Sequence, residues 1–349
     1  MGKYLLGIVL ILLLIGFYTY QSGYLLFPQE VSDAPFRENL GGIGESPHPL
    51  TIEALRNERI TGSDLTIVDT IPNGSNYSQF IASYESEGNT IYGLLTIPLE
   101  EKPESGFPLI IFNHGYIPPS EYQTTVRYES YIDGFARNGY VVFKPDYRGH
   151  GNSEGEAEGG YGSNAYTIDV LNALETMKRH PDVDETRIGM WGHSMGGHIT
   201  LRSMVVSDDI DAGVIWAGVV SSYPDLVSRW RRNRNSNVTI SPTPGGRRRW
   251  RDSIREQFGT PEQNPAFWDS ISATSFLKDI SGPIQLHHGT NDESVPVEFS
   301  QTLKTRMEEV GKPVELYEYE GDNHNISFNF GTAMERSIEF FDKYVKNGE

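Results

Sequence analysis

A serine flanked by two glycines is the clearest chemical signal in the sequence. The segment Gly192-x-Ser194-x-Gly196 follows an apolar run and precedes a helix-length segment. A sharp strand-to-helix turn of this kind lifts a serine hydroxyl above a sheet, and the glycines are needed because a Cβ there would meet neighbouring backbone. This context predicts that Ser194 is a nucleophile for acyl transfer. A glycine-rich turn with an incidental serine is the less favoured interpretation.

A serine nucleophile needs a base, and that base needs an acid to orient it. Asp292 follows one later apolar run and His324 follows the next, which is the chain order typical of α/β-hydrolases. Ligands of open α/β sheets bind where parallel strands end. We therefore predict that Asp292 is the orienting acid and His324 the base. Asp322 and Glu293 are the alternatives for the acid.

Two backbone N–H groups are expected to stabilise the oxyanion of the reaction. One should come from Met195, which follows the nucleophile, and the other from Tyr116, which follows the apolar run Leu109–Asn113. A packed aromatic residue at the wall of the cleft is the alternative role for Tyr116. His114 and His193 lie beside these groups, and we expect them to hold loops together rather than transfer protons.

Several other classes of chemistry are excluded or disfavoured by the sequence. The chain has no cysteine, which excludes thiol catalysis and Cys-ligated metals. Its formal net charge of −18 disfavours nucleic acid as a partner. The segment from Asp146 to Gly155 resembles a structural turn of α/β-hydrolases and is not a dinucleotide fingerprint, because Glu154 replaces the required glycine. No metal or cofactor is implied.

Strands and helices alternate through most of the chain. The first three predicted strands are separated by tight turns, whereas the later ones are separated by helix-length segments. This order predicts the α/β class, with a mostly parallel sheet, an antiparallel N-terminal edge and helices on both faces. The predicted strands are Leu65–Ile71, Ser78–Ser83, Thr90–Ile97, Leu109–Asn113, Tyr140–Lys144, Arg187–Trp191, Ala212–Val220, Ile284–His287 and Val314–Tyr319.

The N-terminal residues differ from the rest of the chain. Leu5–Phe17 is uncharged and apolar, and with its tyrosine-containing rims it would extend roughly 25 Å as a helix. We predict a membrane anchor over residues 1–26, a linker over 27–50 and a catalytic domain over 51–349 that lies outside the cytoplasm. A cleaved signal peptide, which would leave a secreted protein, is the alternative.

The segment from residue 281 to residue 324 carries a family resemblance. Its motif includes His288-Gly-Thr-Asn-Asp292, Val295-Pro296 and Gly321-Asp-Asn-His324. Together with the serine turn, it resembles the prolyl oligopeptidase family, especially dipeptidyl aminopeptidase- and acylaminoacyl-peptidase-like catalytic domains. The resemblance implies an α/β-hydrolase fold and the triad Ser194, Asp292 and His324. We expect no β-propeller, and esterases vary similarly at His114-Gly115-Tyr116, so peptidase and esterase activities both stay open.

An arginine-rich segment lies within the predicted cap insertion, residues 221–275. Eight arginines and no acidic residue occur between Arg229 and Arg251. Pairing with acids elsewhere, such as Glu154, Glu156 and Glu158, is one interpretation. Contact with anionic lipid headgroups is another. A third is binding of a substrate carboxylate, for which the candidate residues are Arg247, Arg248, Arg249 and Trp250.

The combined prediction is a membrane-anchored serine hydrolase that forms an acyl-enzyme. Its expected partners are a peptide or small ester substrate and the lipid bilayer. A serine peptidase acting on short peptides is the first hypothesis, and a carboxylesterase or deacylase is the second. A catalytically silent binding module is the third, which the intact triad positions disfavour.

Overall fold

Nine β-strands form one sheet in the computed structural model, which describes residues 47–230 and 246–348. The strands are β1 (Thr66–Ile71), β2 (Tyr77–Ser86), β3 (Asn89–Pro98), β4 (Phe107–Asn113), β5 (Val141–Pro145), β6 (Val183–His193), β7 (Ala212–Trp216), β8 (Ile284–Gly289) and β9 (Val314–Tyr319). Their spatial order in the sheet is β1-β2-β3-β5-β4-β6-β7-β8-β9. The predicted antiparallel edge is confirmed: β1, β2, β3 and β5 pair antiparallel, and every pair from β5 to β9 is parallel.

Helices cover both faces of the sheet, as predicted. In β4, Leu109 and Ile111 belong to one core cluster, and Ile110 and Phe112 belong to another. Neighbouring residues of a strand point to opposite faces, so the two clusters lie on opposite sides of the sheet. The helices are α1 (Ile52–Asn57), α2 (Glu129–Ala136), α3 (Ala165–Met177), α4 (Met195–Met204), α5 (Tyr223–Ser228), α6 (Gly246–Phe258), α7 (Pro265–Ile271), α8 (Glu298–Glu309) and α9 (Phe330–Phe341). Apolar residues of α3, α4 and α8 join the first cluster, and those of α2 and α9 join the second.

Strand β7 is shorter than predicted. It ends at Trp216 rather than at Val220, because Ala217 has a positive φ of 48° and turns the chain. The Trp216 carbonyl accepts the N–H of Ser194, and the Val219 N–H donates to the Ser194 carbonyl. The residues after β7 therefore brace the serine turn instead of extending the sheet.

Helix α2 also differs from the prediction. The polar segment Glu121–Asn138, between the predicted strands Leu109–Asn113 and Tyr140–Lys144, has the length of a helix and predicts one. The α-helix covers only Glu129–Ala136. The two residues before it, Arg127 and Tyr128, have positive φ values of 70° and 63°, which no α-helix accommodates. Residues 122–127 thus form a loop, which follows the short 3-10 helix Pro119–Glu121.

The cap and the start of the described chain pack together. Leu50, Tyr223, Ile254, Trp268 and Ile271 form a third apolar cluster, in which Leu50 is 2% exposed. The end of the predicted linker is thus packed against the cap. The predicted anchor, residues 1–26, and residues 27–46 lie outside the described part of the chain. Among the described residues, no helix has both the length and the apolar character needed to cross a bilayer.

Candidate active site

Ser194 occupies a strained turn between β6 and α4. Its φ of 55° and ψ of −113° fall outside the regions that ordinary residues populate, at a typical cost of about 1–3 kcal/mol. A Cβ on Gly196 would overlap the carbonyl oxygen of Asn113, and one on Gly192 would overlap the carbonyl oxygen of Gly196. The two glycines therefore allow β4 and α4 to approach closely enough to hold the turn.

Asp292 and His324 form a short hydrogen bond. His324 Nδ1 lies 2.7 Å from Asp292 Oδ2, and the Asp292 side chain is fully buried. The backbone N–H groups of Ser294 and Val295 donate to Asp292 Oδ1 at 2.7 and 3.0 Å. The Asp292 loop thus presents one carboxylate oxygen to the imidazole and anchors the other.

The alternative acids lie in other environments. Asp322 accepts backbone N–H groups of its own loop, from Asn323, Phe328 and Asn329, so its carboxylate holds the loop that carries His324. Glu293 is exposed to solvent.

A second imidazole binds the same carboxylate. His288 Nε2 lies 3.1 Å from Asp292 Oδ2, and His288 Nδ1 lies 2.7 Å from Ser300 Oγ. Because Nε2 also faces the Val295 carbonyl, it must carry the ring proton while Nδ1 accepts from the serine hydroxyl. Burial opposes ionisation of Asp292, but the hydrogen bonds from His288, His324 and Val295 hold its pKa well below the ordinary value. Sequence reasoning missed this role of His288, although its spacing of four residues from Asp292 was visible.

Ser194 and His324 line one pocket of about 380 Å³. Gly115 and Tyr116 of the predicted oxyanion loop line it as well. Met195 is the first residue of α4 and its side chain is buried. No hydrogen bond joins Ser194 Oγ to His324 within the described residues. The structure therefore brings together the five residues predicted for catalysis without a closed serine–histidine contact.

A chain of hydrogen bonds links three loops around this pocket. The Gly115 N–H donates to Tyr128 Oη at 2.9 Å, and Tyr128 Oη lies 2.8 Å from His193 Nδ1. His193 Nε2 lies 3.0 Å from the carbonyl oxygen of His324. A carbonyl only accepts, so His193 carries its proton on Nε2, and Tyr128 donates to Nδ1. Burial and the nearby His324 lower the pKa of His193 to about 3, which keeps the ring neutral and suits the predicted positioning role.

Tyr128 was not among the predicted site residues. A Cβ on Gly115 would lie only 2.7 Å from Tyr128 Oη, so the close approach of the tyrosine hydroxyl requires the glycine. The predicted helix over this segment concealed the contact, because a helix would have carried Tyr128 away from the loop after β4.

The Asp146 loop has a structural role, in line with its sequence motif. Asp146 is fully buried and accepts hydrogen bonds from Tyr122 Oη at 2.7 Å and from Thr124 Oγ1. These bonds secure the segment that leads to Tyr128. His114 stacks on Tyr147 with ring centroids 4.2 Å apart, and its Nδ1 lies 2.7 Å from the Gly115 carbonyl.

Of the four substrate-binding residues predicted in the cap, only Trp250 has a described side chain, and it lies away from the catalytic pocket. The side chains of Arg247, Arg248 and Arg249 are outside the described residues. Trp250 packs against the rings of Tyr161 and Tyr223, both at 5.9 Å between centroids, and is not among the described residues that line the catalytic pocket. Substrate binding by these four residues stays a prediction.

Other aromatic and charged residues of the cap have structural partners. Trp230 Nε1 donates to the Ser294 carbonyl at 2.9 Å and so connects the cap to the Asp292 loop. Arg229 pairs with Asp225 at 3.3 Å. Glu154, one of the acids proposed to pair with the arginines, accepts the N–H of Thr90.

The sheet, the serine turn and the Asp292–His324 pair define the chain as an α/β-hydrolase. The family model described as "Prolyl oligopeptidase family" matches residues 126–348. The chain therefore belongs to the prolyl oligopeptidase family. Members of this family are serine peptidases and esterases, and the chain is accordingly a serine hydrolase.

Individual relatives include proteins named as peptidases and esterases. The Bacillus subtilis (strain 168) "Uncharacterized peptidase YtmA" is 26% identical over 69% of this chain and 84% of its own length. The structure of Pyrococcus horikoshii acylaminoacyl peptidase aligns with a TM-score of 0.62 at 22% identity, over 79% of this chain and 43% of that one. The structure of acetyl xylan esterase from Paenibacillus sp. R4 aligns with a TM-score of 0.63 at 17% identity, over 84% of this chain and 92% of that one. Because both sequence identities are below 25%, these two structures establish that the fold is shared and nothing further.

Proposed function

We propose that the protein is a membrane-anchored serine peptidase that cleaves short peptides through an acyl-enzyme. The observation that carries the catalytic part is the 2.7 Å contact between His324 Nδ1 and Asp292 Oδ2, on a histidine that lines the same pocket as Ser194. The family match and the peptidase name of the relative YtmA support peptides as the substrate class.

The proposed reaction begins when Ser194 Oγ attacks the substrate carbonyl carbon and His324 Nε2 takes the hydroxyl proton. Asp292 stays ionised and stabilises the imidazolium that forms. The N–H groups of Met195 and Tyr116 hold the oxyanion of the tetrahedral intermediate. The Gly115 N–H donates to Tyr128, so Tyr116 is the donor assigned in that loop.

Collapse of the intermediate breaks the bond to the leaving group. His324 returns its proton to the departing amine or alcohol, and an acyl ester remains on Ser194. Water then attacks this ester with His324 again as the base, which releases the acid product and restores the serine hydroxyl.

A carboxylesterase or deacylase is the second candidate function. It is supported by the fold shared with the acetyl xylan esterase, because the alignment covers 92% of that chain. The two functions differ in the leaving group: an amine must be protonated before it departs, whereas an alkoxide or phenoxide needs less help. Esters therefore react in sites where proton delivery is poorly organised.

The test is kcat/KM for an ester and an amide that share one aminoacyl group, with Ser194→Ala protein as the blank. Comparable turnover of the amide supports the peptidase proposal. Ester cleavage without amide cleavage supports the esterase. If an organophosphonate probe labels neither the wild type nor Ser194→Ala, the proposed acyl-enzyme on Ser194 is wrong and the binding-module hypothesis regains support.

We also propose that residues 1–26 anchor the protein in the membrane, with the catalytic domain on the extracytoplasmic side. The apolar run Leu5–Phe17 supports this proposal. Carbonate extraction of membranes should leave the full chain in the pellet and release a chain that lacks residues 1–26. Recovery of a shortened chain in the medium would instead support a cleaved signal and a secreted protein.

A further inference from the structure

Arg127 gives the catalytic pocket a positive charge in an acidic protein. The chain has 47 acidic residues, yet among the described residues that line the pocket there is no aspartate or glutamate. Arg127 is the one lysine or arginine in that described lining, beside Ser194 and His324. An anion that approaches the nucleophile therefore meets a local field opposite in sign to that of the protein as a whole.

The guanidinium of Arg127 has no protein counter-ion in the described part of the chain. No described carboxylate lies within ion-pair distance of it, whereas Arg137, at the other end of α2, pairs with Asp133 at 3.6 Å. The Arg127 backbone N–H donates to the Glu129 carboxylate at 3.0 Å, but this bond leaves the side chain unused. The Arg127 side chain is exposed, so its donors are accessible to a bound molecule.

The backbone at this point is strained. Arg127 and Tyr128 both have positive φ, which typically costs an L-residue about 1–2 kcal/mol. The conformation persists because Tyr128 is held by Gly115 and His193 and because Glu129 holds the Arg127 N–H. The same contacts that fix the oxyanion loop therefore hold Arg127 at the pocket.

From this geometry we infer that Arg127 binds a carboxylate of the substrate. The inference rests on the proposed function, because it requires an acyl substrate in the Ser194 pocket. A guanidinium binds a carboxylate through two parallel N–H bonds, which fixes the orientation of the substrate as well as adding affinity. The carboxylate belongs either to the acyl part of the substrate or to its leaving group, and these two sources share the same recognition chemistry.

The experiment uses the full-length protein in detergent and three matched substrates, esters or amides, whichever class the enzyme cleaves faster. One substrate is neutral, the second carries a carboxylate on the acyl part, and the third carries it on the leaving group. Arg127→Gln removes the charge and keeps most of the side-chain length. Arg137→Gln is the matched control, because Arg137 directly follows the other end of α2 and lies outside the catalytic pocket.

We expect the wild type to prefer one of the two carboxylate substrates, and the preferred one identifies the source. Arg127→Gln should lower kcat/KM for that substrate by roughly 10- to 100-fold, as expected for loss of a charged hydrogen-bonded pair. The loss of kcat/KM for the neutral substrate should be smaller than this, because that substrate has no carboxylate for Arg127 to bind, and Arg137→Gln should leave the preference intact. Arg127→Lys should restore part of the preference, because a lysine keeps the charge without the two-pronged geometry.

The failures of the two proposals are distinguishable. An equal loss on all three substrates, or a wild type without a carboxylate preference, would overturn the role of Arg127 while the hydrolase proposal stands. If a variant with Arg247, Arg248 and Arg249 changed to Gln loses the preference and Arg127→Gln keeps it, the carboxylate site lies in the cap and the inference is wrong. A wild type that hydrolyses none of the three substrates would overturn the proposed function, and this inference with it.

Discussion

Two buried aspartates that follow parallel strands of the sheet have pKa values shifted in opposite directions. Asp292 follows β8 and Asp146 follows β5, and both side chains are fully buried. Burial opposes the charge of each carboxylate and raises its pKa. At Asp292 two imidazoles and two backbone N–H groups outweigh burial, so its pKa is lowered. At Asp146 burial outweighs Lys144 and the Thr124 and Tyr122 hydroxyls, so its pKa is raised.

The donors around each carboxylate, rather than the degree of burial, therefore separate the two roles. Asp292 is built to stay ionised beside His324, whereas Asp146 organises a loop through hydroxyl groups. Lys144 Nζ lies 3.9 Å from Asp146 and donates to Tyr122 Oη at 2.6 Å, so the lysine acts on Asp146 partly through the tyrosine.

The two aspartates should differ most in the effect of their substitution on kcat. Asp292→Asn places an amide NH₂ group or a weaker acceptor against the ring N–H groups of His288 and His324, which disfavours the productive tautomer of His324. We expect kcat to fall by about 10³- to 10⁴-fold on the best substrate. Asp146→Asn makes the same isosteric change at a site without contact to the base, and we expect a loss of less than about tenfold.

Steady-state kinetics on both variants, with thermal melts as a check of folding, measure this contrast. If folded Asp292→Asn retains more than a tenth of wild-type kcat, Asp292 does not orient the base. If Asp146→Asn loses as much activity as Asp292→Asn, the division of roles between the two aspartates is wrong.

The second contrast concerns the pH dependence of stability. The lowered pKa of Asp292 means that its stabilising contribution is present above its unfolded-state pKa of about 3.9 and is lost as the pH falls further. The raised pKa of Asp146 has the opposite sign: its contribution is present below that pH and is lost as the pH rises through the folded-state pKa.

Urea unfolding between pH 3 and pH 7 tests these signs. As the pH falls, the stability advantage of wild type over Asp292→Asn should shrink, and its advantage over Asp146→Asn should grow. Parallel trends in the two variants would show that both carboxylates sit in equivalent electrostatic environments, which contradicts the comparison.

The smallest expected effect concerns the contact between the cap and the Asp292 loop. Trp230→Phe keeps a ring but removes the N–H that donates to the Ser294 carbonyl. Because backbone N–H groups and His288 already hold the Asp292 carboxylate, kcat/KM should change by less than about threefold. The free energy of unfolding should fall by about 0.5–1.5 kcal/mol. A tenfold loss of kcat/KM, absent from a Trp268→Phe control in which the lost N–H has no hydrogen-bond partner among the described residues, would show that the cap positions the acid.

Local patterns made much of this architecture predictable. Alternating strands and helices lead to a parallel sheet, and the glycines around Ser194 are required wherever a strand meets a helix so sharply. The bounds of β9 match the prediction, because a strand with turn residues at both ends is defined by its own sequence. β7 and α2 did not follow their predicted bounds, since Ala217 and Tyr128 adopt positive φ and are held by hydrogen bonds to residues distant in the sequence.

The sequence by itself determined the α/β-hydrolase class and the chain positions of a serine, an aspartate and a histidine at strand ends, because these depend on neighbours a few residues away. The tertiary structure decided which side chains share a hydrogen bond or a pocket. His288 meets Asp292, Tyr128 joins Gly115 to His193, and Arg127 reaches the catalytic pocket. The Tyr128 and Arg127 contacts bring together residues from separate strands and loops, and propensity and spacing carry no information about such distances.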